Sequence, residues 1–225
     1  MPGSMHRSAD PPILLRTPDF VVLDKPAGLP VHPGPRGGAS VEDWFPQLSR
    51  RRDGPWLAHR LDADTSGCLV VALKKSALIA AQAAFAEGRV EKVYWAVVVG
   101  TPSAESGRVD APLERKSDRS GWRMAVARDG QSAVTDWRVL GVGPGIAWLE
   151  LRPKTGRTHQ IRVHCAHIGL PILGDPVYGD GKGRLHLLAR SVRVPVEPPL
   201  SATAEPAEHM RAALAACGWS IGGVV

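Results

Sequence analysis

The chain has 225 residues, 44% hydrophobic and 22% charged, enough to bury a substantial core in one large domain or one domain with a small appendage. No apolar stretch approaches the ~20 residues of a membrane span, residues 1–12 hold no apolar signal-peptide core, and the scattered Cys68, Cys165 and Cys217 argue against a disulfide framework or a cysteine zinc site. A net charge of +6 and a pI near 9.6 suggest an anionic partner, nucleic acid first, and the cysteine usage fits a reducing compartment, the cytoplasm.

Residues 1–12 read as a loose tail. Ile13 to Leu23 holds two apolar runs, with Phe20–Leu23 as the predicted strand. The turn-rich Lys25-Pro-Ala-Gly-Leu-Pro-Val-His-Pro-Gly34 follows, and Ser40 is placed to cap a short helix containing Val41, Trp44 and Phe45. Arg50-Arg-Arg52 is a basic loop cluster, read either as a solvated patch or as a phosphate contact. His59-Arg-Leu-Asp-Ala-Asp-Thr-Ser-Gly67 then sets Asp62, Asp64, Arg60 and His59 directly against the apolar run Cys68–Leu73, a predicted buried strand. Charge at the edge of a core is costly to desolvate, so it is paired or put to chemical use.

Ser76 to Glu87 predicts a helix capped by Ser76 and stopped by Gly88, with Leu78, Ala81 and Phe85 on one face. Lys92 to Gly100 is apolar on both faces, an interior strand with Tyr94 near its start. Thr101 to Gln131 is polar with short strand-like pieces. Val134–Leu140 and Ile146–Leu151 flank the loop Gly141-Val-Gly-Pro-Gly145 and predict an antiparallel hairpin, with Trp137 and Trp148 filling core. Thr158 to Ile168 predicts a helix capped by Thr158, its apolar stripe formed by Ile161, Cys165 and Ile168. A last helix runs from near Pro206 to near Cys217. Strands and helices do not alternate regularly, which points to an α+β fold.

Arg152-Pro-Lys-Thr-Gly-Arg-Thr-His-Gln-Ile-Arg162 is dense in cations and leads into a helix N-terminus, where free N–H groups and the positive dipole end favour phosphate. Lys154 and Arg157 add charge there. His159, His164 and His167 invite a metal reading, but no acidic ligand lies on the same helix, and hydrogen-bonding histidines fit better. There is no Walker A sequence, no Rossmann fingerprint and no G-x-S-x-G elbow, so nucleotide hydrolysis, dinucleotide redox chemistry and serine hydrolysis lack support. Gly174-Asp-Pro-Val-Tyr-Gly-Asp-Gly-Lys-Gly183 reads as an ordered turn followed by a flexible one, with Tyr178 as a hydrogen-bonded packing residue.

Five of these segments, taken in order, resemble the RluA-like family of RNA pseudouridine synthases. They are Leu23–Gly34, His59–Gly67, Lys92–Gly100, Thr155–His164 and Gly174–Gly179. The resemblance runs from about Leu14 to Trp219 and implies a single catalytic domain over residues 13–220. It further implies a mixed, mainly antiparallel central sheet flanked by helices and loops, and activity without metal or organic cofactor. The implied reaction cuts the glycosidic bond of a uridine in structured ribosomal or transfer RNA, rotates the uracil and rejoins it through carbon 5. Asp62 is then the essential catalytic aspartate, acting as nucleophile or as the base that starts elimination. Arg162 pairs with it, and a cation beside a half-buried carboxylate favours the charged form. Tyr94 lies against the target base, and Arg60 fills the space left by the flipped nucleotide. Arg157, His159 and Gln160 are the remaining expected substrate contacts. The resemblance departs from the usual pattern in having no separate N-terminal RNA-binding domain and in Leu188, where a second histidine is common. A monomer is the expected state. The rival readings are an RNA-binding or chaperone protein without chemistry and a metal-dependent hydrolase built on the histidines.

Overall fold

In the computed structural model residues 12–34, 37–118 and 121–220 are described, so the tail expected over residues 1–12 lies, apart from Pro12, outside the described residues. The chain opens with strands β1 (Ile13–Arg16) and β2 (Phe20–Lys25), then a 3-10 turn (Val41–Trp44) running into α1 (Phe45–Leu48). Next come β3 (Trp56–Leu57), β4 (Ser66–Ala72), α2 (Lys75–Ala86) and β5 (Glu91–Val99). Strands β6 (Ser106–Asp110), β7 (Leu113–Asp118), β8 (Gly121–Val126), β9 (Val134–Gly143) and β10 (Ile146–Pro153) follow. The chain ends with α3 (Gln160–His167), β11 (Leu187–Val194), β12 (Leu200–Thr203) and α4 (Glu208–Ala216). No helix among the described residues is long and apolar enough to cross a membrane.

One sheet of ten strands carries the molecule, in the order β1-β2-β4-β11-β5-β10-β9-β6, with β12 on β11 and β3 on β4. Only β4 and β11 run parallel; every other named pair in the sheet is antiparallel. This is the mixed, mainly antiparallel sheet that the family resemblance implies, in the α+β class that the order of elements points to. Strand β5 is interior and splits its side chains as its alternation requires. Trp95 and Val97 join Val70, Trp148 and Leu188 under α2 and α4, while Ala96 and Val98 join Leu149, Leu151 and the α3 residues Ile161 and Cys165. Beside the second cluster, Val21, Leu23, Leu69 and Val71 pack against Val41, Trp44 and Leu61. Tyr94 packs against both of these clusters on that face, which places it at the seam between them.

Gly67 explains the parallel pair. Its φ is +103°, and a Cβ there would sit 2.4 Å from the Ala189 carbonyl oxygen. Only glycine lets β11 lie this close to the start of β4. The separate hairpin of β7 and β8 folds over α3, with Leu113 and Val163 buried and Met124, Val126 and Tyr178 packed around them.

Three local expectations change. The helix α2 starts one residue before Ser76, with Lys74 at the cap position and no side-chain cap, so Ser76 sits in the first turn. Thr158 does not cap α3; His159 holds that position in a left-handed conformation, φ 52°. Strand β9 continues through Gly141 to Gly143, leaving Pro144 and Gly145 as the turn.

Candidate active site

Asp62 stands on the loop entering β4, at the end of that strand where Gly67 pairs with Lys25 of β2. It opens into a cleft of about 1120 Å³ whose walls include Arg60, Lys92, Tyr94, Trp122, Arg157 and His159. The Asp62 side chain is 26% exposed, so a ligand in the cleft can reach it.

The Asp62 loop is pinned from beneath by Lys25. This lysine is fully buried, and its Nζ donates to the carbonyls of Pro26, Leu29 and Ala63 at 2.8, 2.8 and 2.7 Å. Burial pushes its ammonium down to about 8, while the carboxylates of Asp64 and Asp62 oppose that shift. The Gly28 N–H also donates to the Ala63 carbonyl, at 2.9 Å. The turn-rich segment after β2 and the Asp62 loop are thereby one rigid unit. Lys25 was not singled out from sequence; the signal was a lysine closing an otherwise buried strand.

Arg162 projects from α3 toward Asp62, with Nη1 to Oδ2 at 3.6 Å. Its tighter partner is Asp175, whose two oxygens receive Nε and Nη2 at 2.8 and 2.7 Å. Arg162 is 3% exposed and Asp175 not at all. Asp175 Oδ1 also accepts the N–H groups of Val177 and Tyr178. Burial acts against both charges, but the paired geometry wins: the Asp175 carboxyl is held below its ordinary range and the Arg162 guanidinium is raised. The expected pairing of Arg162 with Asp62 is present, but as a looser contact made by a guanidinium that Asp175 has already oriented.

Tyr94 brings a ring to the cleft wall, and burial together with the charge of Asp62 raises its phenol, so it stays protonated. Arg60 is exposed, with no side-chain partner among the described residues. Arg157 is exposed and donates Nε to the Ser132 carbonyl at 3.0 Å. Lys92 donates to the Thr155 carbonyl, and burial lowers it to about 8.

Gln160 differs from the expectation of a substrate contact. Its amide oxygen accepts from the Thr155 hydroxyl and the Arg157 N–H, and its nitrogen donates to the Val134 carbonyl and the Thr135 hydroxyl. All its hydrogen-bonding positions are taken by protein, so it shapes the loop. The histidines divide similarly. His164 is buried, with its ring nitrogens 2.9 Å from Thr135 Oγ1 and 3.0 Å from the Ala111 carbonyl. His59 accepts the Val70 N–H at 3.0 Å and stacks on Phe85, and burial lowers it to about 4. Both serve the scaffold as neutral rings. Among the described histidines, His159 is the one that faces the carboxylate, Nε2 to Asp62 Oδ2 at 3.9 Å.

The Arg50–Arg52 cluster is far from this site. Arg50 and Arg51 flank a smaller hollow with Arg16 and Lys74, just beyond Ala72 at the other end of β4. Asp175 and Trp122 were not picked out as site residues from sequence. Asp175 lies in a matching motif but is separated from Asp62 by half of the chain, and Trp122 falls in the polar stretch that gave only short strands.

The chain is similar to known proteins over most of its length. Residues 19–167 match the RNA pseudouridylate synthase family. An uncharacterised RNA pseudouridine synthase of Zymomonas mobilis is 41% identical over 189 residues, covering 81% of this chain and 86% of the relative. The ribosomal large subunit pseudouridine synthase D of the same organism is 39% identical over 190 residues, covering 80% of this chain but 59% of the longer relative. The solved structure of human RNA pseudouridylate synthase domain containing 4 superposes with a TM-score of 0.79 at 29% identity, covering 94% of each chain. The cleft around Asp62 therefore sits in a member of a known enzyme family: the chain belongs to the RNA pseudouridine synthases, isomerases that act on RNA.

Proposed function

We propose that this chain converts specific uridines in ribosomal or transfer RNA to pseudouridine, with Asp62 as the essential catalytic carboxylate. The observation that carries the reading is Asp62 itself. It is an accessible carboxylate in a cleft otherwise rich in cations, beside a buried arginine that another aspartate holds in place. A protein that merely bound RNA would gain nothing from a negative charge facing a polyanion.

The target nucleotide must leave its stack to reach a carboxylate at this depth. Arg60, exposed at the cleft rim, occupies the vacated space. Tyr94 lies against the extruded uracil and, as a neutral phenol, offers a ring face and an O–H. Asp62, as nucleophile at the sugar or as base in an elimination, breaks the bond from the glycosidic carbon to N1. The freed uracil turns and bonds to the glycosidic carbon through carbon 5, which breaks the Asp62–sugar bond formed in the nucleophilic route or is matched by return to the sugar of the proton Asp62 took in the elimination; carbon 5 then loses its proton, and N1 gains one. Arg162 keeps a fixed positive charge beside Asp62 throughout.

The test is pseudouridine mapping, by carbodiimide treatment and primer extension, on total RNA from a strain lacking the gene, complemented with wild type or Asp62→Ala. The expected result is loss of one or more ribosomal or transfer RNA sites, restored by wild type alone. Restoration by Asp62→Ala, or RNA remodelling by purified protein that survives this substitution with no modified site, overturns the reading.

A further inference from the structure

His159 is the one non-glycine residue with positive φ among the described residues, at 52°, so its placement is imposed by its surroundings. Those surroundings are specific. The Met124 N–H of β8 donates to the Tyr178 hydroxyl oxygen at 2.9 Å, and that oxygen lies 2.9 Å from His159 Nδ1. Trp122, on the same strand, stacks its ring on the His159 imidazole with centroids 5.3 Å apart and planes at 24°. The Arg115 guanidinium from β7 lies 4.7 Å from the Trp122 ring, and the Arg162 guanidinium 5.2 Å from the Tyr178 ring.

A phenol oxygen that already accepts from a backbone N–H keeps its own O–H to give. The atom in reach is His159 Nδ1. If Nδ1 accepts, a neutral imidazole carries its proton on Nε2, and Nε2 is the atom facing Asp62 Oδ2 at 3.9 Å. The other tautomer would aim an Nε2 lone pair at a carboxylate oxygen, which electrostatics opposes. We propose that Tyr178 and the β7–β8 hairpin are positioning elements that hold His159 as the Nε2–H tautomer, so that it donates a hydrogen bond to the Asp62 carboxylate once the target nucleotide closes the cleft. The inference rests on the reading of Asp62 as the reacting carboxylate. A gap of 3.9 Å in the free protein fits donors that tighten only with substrate in place.

The charges around the ring agree. Asp62 and Asp64 from the loop before β4 and Asp175 from the segment after α3 favour protonation, while Arg162 opposes it and burial outweighs all of them, lowering His159 below its ordinary value. The imidazole is therefore neutral near pH 7, where the choice of tautomer matters. Arg115 lies behind Trp122 and adds positive charge on that side.

The experiment is a long-range proton–nitrogen NMR spectrum of 15N-histidine-labelled protein, free of RNA, with the His159 signal identified by its disappearance in His159→Gln. Wild type is expected to show the Nε2–H pattern. Tyr178→Phe removes the donor and is expected to mix the tautomers and raise the His159 titration midpoint. The same variant is expected to lower kcat about tenfold with KM nearly unchanged and to move the acid limb of the kcat profile upward. An Nδ1–H pattern in wild type, or a tautomer and kcat indifferent to Tyr178→Phe, overturns the proposal. Because the tautomer is read without RNA, this failure is separate from failure of the isomerase reading, which Asp62→Ala and RNA mapping decide.

Discussion

Asp62, Arg162 and Asp175 form a chain in which charge and order are supplied by different residues. Asp62 is open to the cleft, and among the described residues its carboxylate makes only the looser contacts, 3.6 Å to Arg162 and 3.9 Å to His159. Asp175 is closed off and makes the strong ones. The two carboxylates should thus differ in what loss of charge costs. Asp62→Asn removes the reacting group from a half-open site and is expected to abolish turnover while leaving stability within about 1 kcal/mol of wild type. Asp175→Asn leaves a buried guanidinium with Asp62 as its remaining carboxylate, and breaking one side of a buried pair costs roughly 3–5 kcal/mol. It is also expected to lower turnover roughly 100-fold, since a misplacement of about 1 Å beside the reacting atoms has that effect. Urea unfolding and single-turnover pseudouridine formation on both variants check this. An Asp175→Asn protein as stable and active as wild type would show that Asp62 alone suffices to hold Arg162.

At the scale of elements, glycine carries information that is easily misread. Gly141 and Gly143 look like turn residues beside Pro144 and Gly145, yet both lie in β9. A Cβ on Gly141 would come within 1.9 Å of the Cys217 carbonyl oxygen, and one on Gly143 within 2.7 Å of that of Ala216. They are bare because the end of α4 presses on the strand there. Gly141→Ala is expected to push α4 outward and destabilise by about 1–3 kcal/mol, as overpacking does, with turnover per folded molecule unchanged; a urea midpoint beside an activity assay measures both. The same element shows what sequence could and could not reveal. The strands β4 and β5 were legible because their apolar runs are long, unbroken and bounded by polar residues. The true extent of β9 was not, because the contact that demands glycine comes from a helix some seventy positions later. The start of α3 was misplaced for a related reason: Thr158 has the right chemistry for a cap, but the cap position is set by what His159 must touch on Tyr178 and Trp122. Asp62, Tyr94 and Arg162 were readable from their motifs, whereas Lys25 and the β7–β8 clamp become visible only when distant segments meet.

Across the whole molecule, the basic excess of +6 falls in more than one place, and the two ends of β4 test what each patch does. At the Asp62 end, Arg60 has no side-chain partner among the described residues, and Arg157 offers the part of its guanidinium not used on Ser132. At the far end, Lys74 is paired with Asp19, Arg51 with Asp53 at 3.6 Å, and Arg16 donates to the Leu48 carbonyl at 2.6 Å. Exposed cations that are free of acidic partners gain most from meeting phosphate, because each one that does so releases a condensed counterion. The near patch should therefore dominate the salt dependence of RNA binding. Arg60→Ala and Arg157→Ala are each expected to raise KM and to reduce the slope of log KM against log salt by about 1. Arg51→Ala, at the far end where Asp53 already lies 3.6 Å away, is expected to leave both unchanged, which assigns Arg51 to its carboxylate and solvent. Steady-state kinetics on one RNA substrate between about 50 and 200 mM salt separates the cases. A shallower slope for Arg51→Ala would instead mean that bound RNA reaches past the sheet to the opposite end of β4, and that the footprint is longer than the cleft.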